Sequence, residues 1–375
     1  MRSNYNQLGQ YIEMVSRTNS DLKYGIEDVR GCSNTKQMMQ TRANLIGRTY
    51  EKFIVLKPRE FVFNRRTTRN GEKIGMAYNN SDREYIFTND YVAFRVKREY
   101  LDKLLPDYLY LFFCRDEFDR YARYKSTGSA TEFFNWEDMC AVPFEIPPMD
   151  FQQLVVNTYK VLNERIEIKR KINDNLAATI QTIFLSCKQS DTFKTYLPLN
   201  ELVKTVNFRN KDNVYGIDDL MGVSLTKEFI KSPANTISLD VSNYKIVKPF
   251  QFACNLMHVG RDKKVAVGML TDADNVIISP AFTVFEIINN NVILPEVLVS
   301  WFSQSFFDNE VSYLASEGIR DGIKWDTFAQ IPIFIPEFEI QTKIQNIYKN
   351  IQQNKLEIST LNNFADTFIT TLSSR

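Results

Sequence analysis

From Met149 to Cys187 the sequence contains neither Gly nor Pro, and apolar or long side chains recur at Val155, Tyr159, Leu162, Ile166, Lys169, Asn173, Leu176, Ile180 and Ile183. The steps alternate between four and three, the spacing of a coiled-coil seam. A helix of about 37 residues at 1.5 Å per residue reaches roughly 55 Å, well beyond an ordinary globular helix. The pattern returns near the C-terminus at Ile344, Tyr348, Ile351, Lys355, Ile358, Asn362, Ala365, Ile369 and Leu372, each 189 residues after its counterpart (344 − 155).

The repetition extends to the rest of the chain. Tyr24-Gly-Ile-Glu-Asp-Val recurs as Tyr215-Gly-Ile-Asp-Asp-Leu, an offset of 191 (215 − 24). That offset also carries Leu8 onto Leu199, Thr35-Lys36 onto Thr226-Lys227, Lys57-Pro58 onto Lys248-Pro249, Asn64 onto Asn255 and Phe94 onto Phe285. Beyond it the offset falls to 189, with Leu105-Pro106 meeting Leu294-Pro295, Trp136 meeting Trp325, and Ile146-Pro147 meeting Ile335-Pro336. Chance does not sustain one spacing through so many matches, so the chain is one unit of about 190 residues written twice.

Within a unit, short β-type runs come first, FIVLKPREFVF, REYIF and DYVAFRV in one copy and YKIVKPFQFACN, NVIIS and FTVFEI in the other. A single helix with Pro in its opening turn is expected next, LPDYLYLFFCRDEFDRYARY or LPEVLVSWFSQSFFDNEVSYL, its aromatics facing a core. A Gly-containing loop, a short apolar strand ending in Pro and the long helix complete the unit. The expected class is therefore α+β, with two similar, mixed, mostly β domains and two long helices. The expected boundaries are 1–149 and 188–336 for the domains, and 150–187 and 337–375 for the helices.

Composition narrows the function. With 375 residues, 44% hydrophobic and 24% charged, the chain reads as a soluble globular protein of two domains. It lacks an apolar run of membrane-spanning length and its first residues lack a signal-peptide core, which suggests a cytoplasmic protein without membrane contact. Five scattered cysteines and one histidine, His258, argue against a zinc site or a disulfide framework. No P-loop, no Asn- or Asp-Pro-Pro-aromatic tetrapeptide and no nucleophile elbow is present, so no catalytic role is expected.

Net charge is only +1, yet ten Lys or Arg stand against three Glu between Lys36 and Lys73. A basic stripe in a near-neutral protein suits local phosphate contact, and equally a solvated surface. Two loops occupy matching places. Asn64, Arg65, Arg66, Thr67, Thr68 and Arg69 lead to Lys73 in one copy, and Asn255, His258 and Arg261 lead to Lys263 and Lys264 in the other. Each is rich in donors suited to guanine edges or phosphates. A polar hairpin tip accounts for either loop alone, but the flanks agree between copies while the contents differ, as two readers of different short sequences require. Arg320, in the loop before Trp325, is a further candidate for DNA contact, although a plain turn serves there as well.

With these features in place, the chain resembles the specificity subunits of type I restriction-modification systems. The resemblance covers nearly the whole chain. It is carried by NRRTTRNGEKIG, TNDYVAF and GSATEFFNWEDMCAVPFEIPPMDFQQ in the first copy, and by SPANTISLDVSNYKIVKPFQFACNLMHVGRDKK, ISPAFTVFEI and EGIRDGIKWDTFAQIPIFIPEFEIQTKI in the second. One departure lies at the helix starts: the family's Pro-Pro-x-x-Glu-Gln entry becomes Pro147-Pro-Met-Asp-Phe-Gln152 and Pro336-Glu-Phe-Glu-Ile-Gln341. The resemblance implies two target recognition domains on an antiparallel coiled coil, and a bipartite double-stranded DNA target with half-sites about one helical turn, near 34 Å, apart. It implies as partners two methyltransferase subunits and a restriction and translocase subunit, which would carry the S-adenosylmethionine, ATP and Mg. No cofactor is expected on this chain. Asn173 and Asn362, at equivalent seam sites, fit a register-fixing role or a solvated flank equally well. The alternative function is a coiled-coil interaction scaffold that does not read DNA.

Overall fold

A computed structural model of the chain describes residues 6–41, 45, 47–66, 73–127, 132–189, 195–232, 239–271, 274–316 and 322–371. It divides into two compact units, Met1–Ile168 with Ile358–Arg375, and Lys169–Glu357.

The first unit is built on an antiparallel sheet in the order Ile12–Val15, Tyr91–Val96, Phe61–Asn64, Met76–Tyr78. Alternation along Phe61–Asn64 sends Phe61 and Phe63 into one apolar cluster and Val62 into another, so the sheet is covered on both faces. Phe61 stacks on its cross-strand partner Phe94 at 5.0 Å between ring centroids. Two short ladders lie beyond the second cluster: Arg30–Cys32 with Met38–Gln40, and Ile54–Leu56 with Tyr85–Phe87. A parallel bridge from Val29 to Ile86 ties them together.

The second unit repeats this plan in the order Val203–Val206, Thr283–Ile287, Phe252–Asn255, Ala266–Met269, with Phe252 stacked on Phe285 at 5.2 Å. Here the outer strands form one sheet, Phe229–Lys231, Leu220–Val223, Val276–Ile278, Lys245–Val247. Its parallel pair Leu220–Ile277 stands where the first unit has the bridge Val29–Ile86. Even the left-handed residues recur, Leu22, Lys36 and Arg59 in one unit and Asn213, Lys227 and Phe250 in the other. The fall in offset from 191 to 189 is located by the fold. Lys97 N–H donates to Tyr11 O as Ile288 N–H does to Leu202 O, at offset 191, whereas Lys103 N–H donates to Tyr100 O as Val292 N–H does to Asn289 O, at offset 189. The two extra residues of the first unit therefore lie in its 3-10 turn Arg98–Tyr100.

The helix expected after the sheet is two helices in each unit, Pro106–Phe113 with Asp116–Lys125, and Pro295–Phe302 with Ser305–Ser316. Arg115 is extended, with φ −76° and ψ 145°, and Asp116, Glu117 and Asp119 fill the first turn that follows. Carboxylates there face the positive end of the helix dipole, which favours a fresh start over continuation.

Each unit includes part of both long helices, Met149–Gln189 and Phe338–Thr371. In the first unit Val155, Tyr159, Phe368 and Ile369 join the main core. In the second, Leu176, Ile180, Ile183 and Phe184 pack in one cluster with Ile344, Tyr348 and Ile351. Lys169 pairs with Glu357 at 2.6 Å, and Asn173, four residues on, donates to Ile351 O at 3.4 Å, so the helices run antiparallel. No helix of the described residues is long and apolar enough to cross a membrane.

A buried amide fixes each long helix to its domain. Gln152 Oε1 accepts from Leu105 N–H at 2.9 Å, while its Nε2 donates to Lys103 O at 2.7 Å and Pro147 O at 2.8 Å. Gln341 repeats all three bonds, accepting from Leu294 N–H and donating to Val292 O and Pro336 O, each at 2.9 Å. The two side chains are 0% and 2% exposed. Gln152→Ala is expected to cost about 2 kcal/mol or more in urea unfolding, because three backbone groups lose a partner at once. Gln152→Glu, which keeps the acceptor and loses both donors, should also destabilise; wild-type stability in both variants would contradict this role.

Candidate nucleic-acid interface

The two candidate loops leave the ends of equivalent strands and are pinned alike. Asn64 N–H donates to Gly75 O at 2.8 Å, and Asn64 Oδ1 accepts from Arg66 N–H at 3.0 Å. Asn255 Oδ1 accepts from Met257 N–H at 3.0 Å. A strand-end Asn can close such a turn onto the backbone two residues ahead. One residue on, Arg65 O accepts from Phe134 N–H at 2.9 Å, and Leu256 O from Ile323 N–H at 3.0 Å. Beside the latter bond Gly322 fits closely: a Cβ there would stand 3.1 Å from the carbonyl oxygens of Leu256 and Met257.

The returning end of each loop is held by a buried ion pair. Lys36 Nζ donates to Asp119 Oδ1 and, at 2.8 Å, to Ile74 O, and the same Asp119 oxygen accepts from Ile74 N–H at 3.0 Å. In the second unit Lys227 Nζ donates to Asp308 Oδ1 at 2.6 Å and to Val265 O, and Asp308 Oδ1 accepts from Val265 N–H at 3.0 Å. Burial pushes the Lys36 and Lys227 ammonium groups down and the Asp119 carboxyl up, and the ion pairing opposes it.

Arg65, Arg66 and Lys73 are exposed around the first set of anchors. Arg66 lies 3.9 Å from Asp90 and Lys73 lies 3.3 Å from Asp116, with all four side chains at least half exposed. Such surface pairs are worth about 0–1 kcal/mol, so either cation can exchange its carboxylate for a phosphate at little cost. Thr67, Thr68, Arg69 and Arg320 lie outside the described residues.

The second loop departs from the expected polar turn. Val259–Asp262 forms a helical turn whose Val259 and Gly260 are buried, and Val259 belongs to the core. Arg261 Nε and Nη2 donate to the two oxygens of Asp262 at 2.7 and 3.2 Å, and this bonding holds the Asp262 carboxyl below its usual range. The helical turn ends at Lys263, left-handed at φ 53°, and His258, Lys263 and Lys264 are exposed. Asn64 and Asn255 are half-buried at the strand ends. Among the described residues no group of three or more His, Cys, Asp or Glu is arranged to hold a metal ion.

The seam residues occupy the inner faces of the long helices. Val155, Ile166, Ile180, Ile344, Ile351 and Ile369 are buried, and Tyr159, Leu162, Asn173, Leu176, Tyr348, Ile358 and Asn362 are half-buried. Asn173 Oδ1 accepts from Asn354 Nδ2 at 2.9 Å, and Lys169 donates to Asn354 Oδ1 at 3.0 Å, so the seam carries a polar cluster in the second unit.

The Lys–Asp pairs were not among the sequence candidates, although the sequence held a signal for them. Thr35-Lys36 recurs as Thr226-Lys227, and Asp119 recurs as Asp308 at offset 189 (308 − 119).

Residues 24–178 match the model of the type I restriction modification DNA specificity domain. No curated protein matches the chain in sequence. Among solved structures, the type I restriction-modification system S subunit from M. genitalium aligns over 99% of this chain and 97% of its own, at 13% identity and a TM-score of 0.54. The HsdS subunit from Thermoanaerobacter tengcongensis aligns over 98% and 95%, at 12% identity and a TM-score of 0.37. The likeness in fold rests on the first.

Asn255→Ala removes the acceptor of Met257 N–H and should cost about 1 kcal/mol. Hydrogen exchange at the Met257 amide should quicken while the amides of Phe252–Asn255 stay protected; an unchanged Met257 amide would contradict the turn's dependence on Asn255.

Proposed function

We propose that this chain, which belongs through residues 24–178 to the type I restriction modification DNA specificity domains, is the DNA sequence-specificity subunit of such a system, reading a two-part target on double-stranded DNA. The observation that carries this is the pair of equivalently anchored loops with different contents, within a chain that holds the family domain. Identical anchors aim each loop in the same way relative to its own sheet, and different side chains at the tip let the two units prefer different bases. Exposed cations around the anchors supply the sequence-independent part of binding through phosphates. In this reading residues 1–149 and 188–336 are the recognition domains, and 150–187 and 337–375 are the spacer helices.

The subunit performs no chemistry of its own in this reading. Methyltransferase subunits bring S-adenosylmethionine, and a restriction subunit brings ATP and Mg. Exposed apolar residues on the long helices support a partner there: in the first unit Leu154 and Val161, seven residues apart, are 64% and 61% exposed, and Phe364 is 56% exposed. Seven-residue spacing of apolar side chains on an outer helix face suits a further helix.

Two measurements test this function. Methylation mapping of cells carrying the gene with its methyltransferase partner should show one motif in two blocks separated by unread bases, and an uninterrupted motif or none would sink it. The affinity of the chain for duplex DNA should fall linearly with salt on logarithmic axes, steeply if several phosphates are contacted. A scaffold indifferent to DNA would give no such slope.

A further inference from the structure

The Lys36–Asp119 and Lys227–Asp308 pairs are costly features placed at the same point of both units. The Lys36 and Asp119 side chains are 3% and 5% exposed, and those of Lys227 and Asp308 are 6% and 10% exposed. Removing two charges from water costs several kcal/mol per ion before their attraction is counted, and apolar replacement of such a pair is often neutral or stabilising. Both lysines are also left-handed, at φ 61° and 67°, a conformation that disfavours residues with a Cβ. Burial alone would favour a leucine.

The hydrogen bonds show what an apolar pair could not do. Both backbone groups of Val265, the residue directly after Lys264, are held by the second pair, the N–H by Asp308 and the C=O by Lys227. Ile74, directly after Lys73, is held in the same way by Asp119 and Lys36. In each unit the lysine comes from a turn near the outer strands, Ser33–Lys36 or Ser224–Lys227, and the aspartate from the first turn of a helix on the other side of the sheet. The outgoing end is fixed separately, by Asn255 through Met257 N–H in the second unit. Both ends of the cation-bearing segment are therefore set against the sheet to within a hydrogen bond, the tolerance that reading a base edge demands.

We propose that Lys36, Asp119, Lys227 and Asp308 are positioning residues for base discrimination, each pair fixing the returning end of one reading loop so that one half-site depends on one pair. This rests on the DNA-reading function proposed above and assigns to it residues that touch no DNA.

The test uses the full chain and a duplex DNA library of random sequence, with bound molecules selected and sequenced. Wild type should enrich two blocks. The variant Lys227→Met/Asp308→Leu, which replaces the pair by apolar side chains of similar length and leaves the buried Val265 N–H and C=O without their partners, should be less stable than wild type but still fold. It should lose about tenfold or more of its discrimination in one block and leave the other unchanged. Lys36→Met/Asp119→Leu should do the same to the opposite block. Should a double variant fail to fold, Asp308→Asn keeps an acceptor for Val265 N–H and removes the charge; it should relax the same block by a smaller factor, with Lys227→Arg closer to wild type. Folded double variants with both blocks intact would overturn the proposal, as would equal loss in both blocks from one pair. No enriched block with wild type would instead overturn the DNA-reading function and this proposal with it.

Discussion

Gln152 and Gln341 each set one buried amide between a loop, a helix cap and the first turn of a long helix, and the rest of each unit is organised around that junction. The loop carbonyl at Lys103 or Val292, the cap N–H at Leu105 or Leu294 and the carbonyl at Pro147 or Pro336 all turn toward one side chain. With the start of the helix fixed in this way, its apolar seam has one orientation against the core. Phe151 and Ile340 stand directly before these glutamines, and the contact forms without a carboxylate there.

Comparison of the two copies separates what each unit needs from what it can vary. The buried polar groups recur in kind: the Gln amide, the Lys–Asp pair, and Asn19 and Asn210, each bridging both backbone groups of the tyrosine five residues ahead. A buried donor or acceptor left alone costs about 1–3 kcal/mol, so no partner in such a set can change by itself. Pairs nearer the surface have drifted. Glu13–Arg95 across the edge of the first sheet is Lys204–Glu286 in the second, with the charges exchanged. Arg59, which pairs with Asp107, has become Phe250. Surface pairs contribute so little that reversal or loss is tolerated.

Much of this was legible in the sequence because it is periodic or repeated. The seam spacing foretold the helices at Met149–Gln189 and Phe338–Thr371, and the matches at offset 191 foretold two like units. The two loops were visible as divergence inside matching flanks. What escaped was decided by contacts distant in sequence. The break at Arg115 opens the helix whose first-turn Asp119 reaches Lys36, far away in sequence, in a stretch whose apolar pattern runs on. The helical turn Val259–Asp262 exists because Val259 is drawn into a core that the local composition does not announce. Lys36 and Asp119 are 83 residues apart, and nothing local distinguishes that lysine from its neighbours in a basic stripe.

The proposed function requires each unit to read its own half-site through the segment held between its anchors. Transplanting residues 255–264 in place of 64–73 and selecting from a random duplex library tests this most directly. Equivalent anchors should present the transplanted side chains in the first unit as they stand in the second. The two enriched blocks should then converge on one sequence, the block formerly read by the second unit. Persistence of the original first block in a folded protein would contradict the claim.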